Sequence, residues 1–128
     1  MTRVNVGIHP IELCDQHLVA EYRELPRCFS TRTNAGLKGF RLGKGHQLWC
    51  AQYQLSCARR QAALCDEMRR RGFTVNYPMT WQDFPKGALA WSPADESAAR
   101  PLLIARIRER LSSMRPTWTG CTQPAWAR

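Results

Sequence analysis

Apolar residues recur at three- and four-residue steps in three stretches of the chain, and each stretch predicts a helix. The first follows Pro10, which suits an opening helical turn. Ile11, Cys14, Leu18, Tyr22 and Leu25 form one stripe there, and Pro26 stops it. The second covers 47–71, with Leu48, Ala51, Leu55, Ala58, Ala62, Cys65 and Met68 as a stripe of mostly small residues. Arg69, Arg70 and Arg71 suit the negative end of that helix dipole as exposed charges, and Gly72 suits its stop. The third begins at Pro101 and carries Leu103, Ile104, Ile107, Leu111 and Met114.

The segments between are read from turn chemistry. Val4, Val6 and Ile8 alternate, as in a short extended arm. Residues 28–46 hold four Gly and four basic residues and few helix formers, which predicts a loop. Residues 73–100 are irregular: Thr80 with Asp83 caps a short turn, and Ser92-Pro93-Ala94-Asp95 opens another helix. Trp81, Phe84 and Trp91 are expected to cover the core as an aromatic flap. The tail RPTWTGCTQPAWAR, with Pro116 and Pro124, reads as a wrapped extension. No repeat and no sheet pattern is visible. The expectation is an all-α, compact single domain over residues 1–128, with three main helices, long loops and an extended C-terminal tail.

Composition narrows the class. With 44% hydrophobic residues in 128, the chain can build one modest core. None of its six Cys stands in a C-x-x-C, and no Cys/His cluster has zinc spacing, so no zinc site is expected, and no cofactor is expected. Cys50, Cys57 and Cys65, seven and eight apart, share a helix face and read as small core residues. Free thiols point to a reducing cytoplasm, either cellular (nucleoid-associated) or that of a virus-infected cell. No apolar run approaches the ~18 residues of a membrane span, and the start lacks a secretory apolar core.

Charge changes the picture more. The net charge is +9 and the pI about 9.9. Residues 25–65 contain no Asp or Glu, and from Arg100 onward six Arg face only Glu109. Two such blocks suit a polyanion such as nucleic acid better than an acidic metabolite. The bland alternative is a basic face kept for solubility.

Candidate chemistry lies in the first 27 residues. Thr2 is small enough for Met1 to be trimmed, which would free its α-amine. An α-amine titrates near ~7.7–8.0, so it is partly a neutral nucleophile at cellular pH, whereas a Lys amine near ~10.4 is not. Glu24 is the carboxylate expected to partner it. Gln16, Arg23 and Arg27 fall on one side of the first helix, and His17 and Glu24 lie about 100° round from them. Taken alone, Arg23 and Glu24 also fit ordinary solvent-facing charges. Gly43-Lys44-Gly45-His46 suits a phosphate cradle at a helix start. Arg106 and Arg110, four apart, suit neighbouring phosphates.

These residues resemble a known family. The segments MTRVN, DQHLVAEYRELPR, LGKGH, the helix ending RRRGF, and RPTW follow one another as in the pyrimidine-dimer DNA glycosylases of the phage endonuclease V type. The resemblance implies an all-α, metal-free monomer acting on lesion-containing double-stranded DNA as a combined glycosylase and AP lyase. It implies that Thr2 forms an imine with the lesion sugar and that Glu24 is the catalytic carboxylate. Arg3, Gln16, His17, Arg23 and Arg27 would then surround the lesion and its phosphates. Lys44, His46, Arg106, Arg110 and Arg115 would complete the DNA-binding set. The chain departs from the family in a shorter loop between Arg27 and His46 and in Thr119, Gly120, Cys121 and Thr122 after Trp118. Those departures bear on lesion preference, including a preference for abasic sites or another lesion. A non-catalytic binder of bent or damaged DNA, which would tolerate a retained Met1, fits the charge as well. A basic RNA-binding module lacks the expected aromatic–basic motif.

Overall fold

The computed structural model describes residues 3–31, 36–76 and 88–128. Its elements are a 3-10 turn Pro10–Glu12, helices α1 (Asp15–Glu24), α2 (Arg27–Ser30), α3 (His46–Ala51), α4 (Gln54–Arg70) and α5 (Pro93–Leu111), and a 3-10 turn Ala125–Ala127. Among the described residues there is no strand, and the fold is all-α, with α1, α4 and α5 as the three long helices. Thr80, Trp81, Asp83 and Phe84 lie outside the described residues.

Residues 3–8 do not form a two-faced extended arm. Arg3, Val4, Asn5, Val6 and Ile8 are all buried, so the segment threads through the core. It bends: Val6 N–H donates to Val4 O at 2.9 Å and Ile8 N–H to Asn5 O at 3.1 Å. Gly7 makes the bend possible. Its φ is +83°, and a Cβ there would stand 2.5 Å from the Glu96 carbonyl of α5.

The predicted helix over 10–25 is broken in two. Leu13 and Cys14 are extended, with ψ of 141° and 163°. This turns Leu13 fully into the core and frees Asp15 to open α1. Pro26 ends α1, but at φ −55°, ψ −19° it feeds straight into α2, so residues 27–30 are helix rather than loop.

The long helix expected over 47–71 is also two helices. The end of α3 tightens into i→i+3 bonds, Gln52 N–H to Trp49 O and Tyr53 N–H to Cys50 O, and Tyr53 leaves helical geometry at φ −116°, ψ 65°. The break lets Trp49 pack on both Tyr53 (centroids 4.9 Å) and Trp91 (5.9 Å, stacked at 17°). Leu55 N–H, an otherwise orphaned donor of the first turn of α4, reaches Leu89 O at 3.1 Å. The core face of α4 is therefore Cys57, Ala58, Gln61, Leu64, Cys65 and Met68, while Leu48 on α3 is 42% exposed. Gly72 stops α4 as expected: at φ +89° it allows Phe73 N–H to reach Met68 O and Gly72 N–H to reach Arg69 O.

The last helix starts eight residues before Pro101. Ser92 and Asp95 form a reciprocal capping box with Pro93 in the first turn. Pro101 sits inside α5, where it has no N–H to offer the Ser97 carbonyl; Ser97 is exposed, so water can take that bond. Ala99, Leu103 and Ile107 bury the inner side of the helix.

Candidate active site

Two glutamates stand one turn apart on α1, and their surroundings separate them. Glu21 is 2% exposed. It takes Arg60 Nε at 2.6 Å, Arg60 Nη2 at 3.0 Å and Asn5 Nδ2 at 2.6 Å. Arg60 Nη1 also donates to Ile8 O. Glu21 is thus consumed in holding the N-terminal segment and α4 to α1. Glu24 is half-buried and has no hydrogen bond or ion pair among the described residues.

Glu24 opens into a cleft of about 90 Å³ with Arg3, His17, Ala20, Ile107 and Arg110 on its walls and Asn5 and Glu21 at its base. α1 supplies His17, Ala20 and Glu24, and α5 supplies Ile107 and Arg110, so the cleft lies between the two helices with residue 3 entering from the arm. Thr2 lies outside the described residues, but its neighbour Arg3 shares this cleft with Glu24.

The cleft is electropositive. Arg3 is 8% exposed, and its Nη1 is buried without a hydrogen-bond partner. Burial first, then Arg110 and Arg106, pull its pKa below the usual value, and Glu24 opposes them. Burial, then Arg110 and Arg3, likewise push the His17 imidazole down, so the ring is neutral near pH 7, with Nδ1 buried and unpartnered. Two guanidinium groups on the walls, a third (Arg106) close enough to act on Arg3, and a neutral imidazole beside one carboxylate without a hydrogen bond among the described residues describe a site short of an anion. A phosphate would satisfy the orphaned donor of Arg3 and relieve the like-charge crowding.

The other predicted residues divide. Arg23, Arg27, Arg106 and Arg115 are exposed. Gln16 is exposed too, but both ends of its amide grip the tail: Nε2 donates to Arg115 O and Oε1 accepts from Thr117 N–H, each at 3.1 Å. Lys44 is exposed on a separate cleft of about 350 Å³ beside Thr31, Gly43 and Gln47. The cradle read from Gly43–His46 is partly closed, because His46 N–H already donates to Gly43 O at 3.1 Å. His46 itself is 1% exposed, with both ring nitrogens engaged inside the protein, so its side chain has no atom left for a phosphate.

Three participants were not singled out from sequence. Glu21 lies three residues past Leu18 and four before Leu25, on the apolar stripe, and a charge there was the available sign of a buried pair. Asp15 accepts from Arg71 Nη1 at 2.9 Å, from the Thr117 and Thr119 hydroxyls at 2.6 Å each, and from Thr119 N–H, which pins the tail to the start of α1. Arg71, expected as an exposed end-of-helix charge, has a fully buried side chain because Asp15 and Glu67 enclose it. Among the described residues no His, Cys, Asp or Glu cluster could hold a metal, and no helix is long and apolar enough to cross a membrane. A family model described as pyrimidine dimer DNA glycosylase matches residues 1–81.

Proposed function

The chain belongs to the pyrimidine dimer DNA glycosylase family, and we propose that it both removes the damaged base and nicks the strand, using the α-amine of Thr2. The neutral amine attacks C1′ of the 5′ nucleotide of a cyclobutane dimer. The glycosidic bond breaks with its electron pair staying on the base, which remains joined to its 3′ neighbour through the cyclobutane ring, and the sugar ring opens to an iminium joining Thr2 nitrogen to C1′. Loss of a C2′ proton then expels the 3′ phosphate by β-elimination, and hydrolysis returns the amine. Glu24 stabilises the positive charge that develops on the sugar and iminium, and it relays protons.

The observation carrying this reading is that Arg3, one residue from the proposed nucleophile, and the unengaged Glu24 line one cationic cleft. Arg3, Arg110 and the neutral His17 would receive the lesion phosphate there, with Arg23, Arg27, Arg106, Arg115 and Lys44 along the flanking backbone. Gln16 contributes by holding the backbone of Arg115. The distortion of a dimer lowers the few kcal/mol that extruding a nucleotide costs in intact DNA, and the bent duplex is read by its deformability. The tail docked on α1 supports one domain over 1–128. A single such domain suffices as a monomer, working in the compartment that holds the DNA.

Borohydride reduction in the presence of dimer-containing duplex tests the scheme. A covalent protein–DNA adduct is expected, to be lost when the N-terminus is acetylated. Trapping that survives acetylation would assign the nucleophile to a lysine. Cleavage of abasic but not dimer duplex would keep the imine and change the lesion.

A further inference from the structure

We infer that His46 is a positioning residue for the N-terminal amine, acting through the backbone of Val4. This rests on the imine reading above and assigns to His46 a task other than binding phosphate. Val4 N–H donates to His46 Nε2 at 2.9 Å inside the core. His46 Nδ1 stands 2.7 Å from Arg41 O. A carbonyl can only accept, so the proton sits on Nδ1 and Nε2 presents its lone pair to Val4. The edge of the Phe40 ring, at 5.5 Å between centroids, packs against the imidazole, and the Gly45 turn at φ +99° sets the residue at the head of α3. The ring is therefore fixed by groups on its far side and is an aimed acceptor.

The position of that bond gives it its consequence. Asn5 to Glu21 and Ile8 to Arg60 secure the arm further along. The Val4 bond is the backbone anchor nearest the chain start among the described residues, and from it the Thr2 nitrogen is two residues away, at most about 7 Å of chain. Losing it moves the fixed point of the arm to Asn5 and loosens the chain start, whose amine the proposed scheme needs opposite Glu24. Nucleophile placement within about an ångström is worth up to about 100-fold in rate, so attack should suffer while DNA affinity, carried by the arginines, should not.

Two isosteric halves of the ring separate placement from mere packing. In His46→Gln the side-chain amide reaches the place of Nε2 and can accept from Val4. In His46→Asn it reaches only the place of Nδ1, and Val4 N–H is left unpaired. Single-turnover borohydride trapping on dimer duplex is expected to fall about 10- to 100-fold in His46→Asn and to recover to within about threefold of wild type in His46→Gln, with Kd for the same DNA unchanged within about twofold in both. Equal trapping by His46→Asn and wild type, or equal losses in the two variants, would overturn the proposal. Should neither variant fold, hydrogen exchange of the Val4 amide in the wild-type protein decides: protection like that of the core is expected, and exchange at the rate of a free amide overturns it. Wild-type protein that cleaves dimer DNA but gives no trapped adduct refutes the Thr2 imine instead, and Val4 exchange still reads the clamp separately.

Discussion

Replacing Asp15 by Ala tests how the tail and α4 are tied to the helix that carries Glu24. The carboxylate faces the Arg71 guanidinium at 2.9 Å, and the Arg71 side chain is fully buried. Removing one partner of a buried pair typically costs ~3–5 kcal/mol, because the other charge is left uncompensated. Arg71 keeps Glu67 at 3.6 Å and the carbonyls of Pro10 and Ile11 at 3.3 Å each, so the lower end applies, about 3 kcal/mol. For a chain of this size that is a fall in Tm of roughly 10 °C. The assay is thermal and urea unfolding of Asp15→Ala, Arg71→Met and the double variant, followed by circular dichroism. The double variant should lose less than the sum, by about 2 kcal/mol. A coupling below about 0.5 kcal/mol, or a loss under about 1 kcal/mol for Asp15→Ala, would refute the reasoning. Acid supplies an independent arm. Burial pushes the Asp15 carboxyl up, but the Thr117 and Thr119 hydroxyls, Arg71 and the Thr119 N–H outweigh it and hold the carboxyl below its usual value. A depressed folded pKa stabilises above the unfolded value and is lost as pH falls through the folded one. Asp15→Asn should therefore flatten the stability curve below about pH 4, and the Thr119 amide should exchange faster.

Other outcomes follow from the same geometry. Glu12 is held down to about 2, first by the Arg100 guanidinium with help from Trp126, against the opposing effect of burial, so its contribution fades as pH falls from about 4.5 toward 2. Glu12→Gln should remove that acid dependence and cost about 1–2 kcal/mol by urea titration, a figure discounted because Arg100 is 38% exposed. Gly7→Ala forces a side chain into a left-handed residue against the Glu96 carbonyl and should cost about 2–4 kcal/mol by the same measurement. Glu24→Gln should lower kcat on dimer duplex about 100- to 1,000-fold while Kd holds or tightens, since the carboxylate opposes the phosphates; weaker binding with unchanged kcat would reverse its role. Arg110→Ala should reduce the slope of log K against log salt by about one. It should also raise the His17 pKa in an NMR titration, because Arg110 helps to depress it.

The sequence carried the fold wherever the signal was local. The Leu18–Tyr22–Leu25 part of the first stripe, Leu103 and Ile107 of the last, the Ser92 box and the Gly72 stop each need only neighbouring residues to act, and each is present. Where distant residues decide, local rules failed. The break at Tyr53 follows from packing Trp49 against Trp91, 42 residues away in sequence. Pro101 read as the start of a separate helix because a proline rarely sits inside one, whereas the helix that Ser92 opens runs straight through it. Arg71 obeys the charge preference of a helix end, as Arg69 and Arg70 do, but Asp15, 56 residues earlier, draws it inside. At the site, Arg3, His17, Glu24 and Arg110 meet in one cleft, whereas the lone histidine after Gly45 gave no sign that both its nitrogens would be used indoors.

The two α1 glutamates show why a cleft this cationic can be stable without its ligand. Arg60 adds a positive charge directly behind the cleft floor, yet it is cancelled at once by Glu21, whose carboxylate it holds from two nitrogens. The field an entering phosphate would meet therefore comes mainly from Arg3, Arg106, Arg110 and Glu24, with Glu21 still felt at His17. Were Glu21 the reactive carboxylate, catalysis would have to break a buried ion pair in every cycle, at several kcal/mol. The proposed division, structure for Glu21 and chemistry for Glu24, avoids that penalty: the arm stays anchored through Asn5, and the acid one turn later would be free to answer a charge that exists only during reaction.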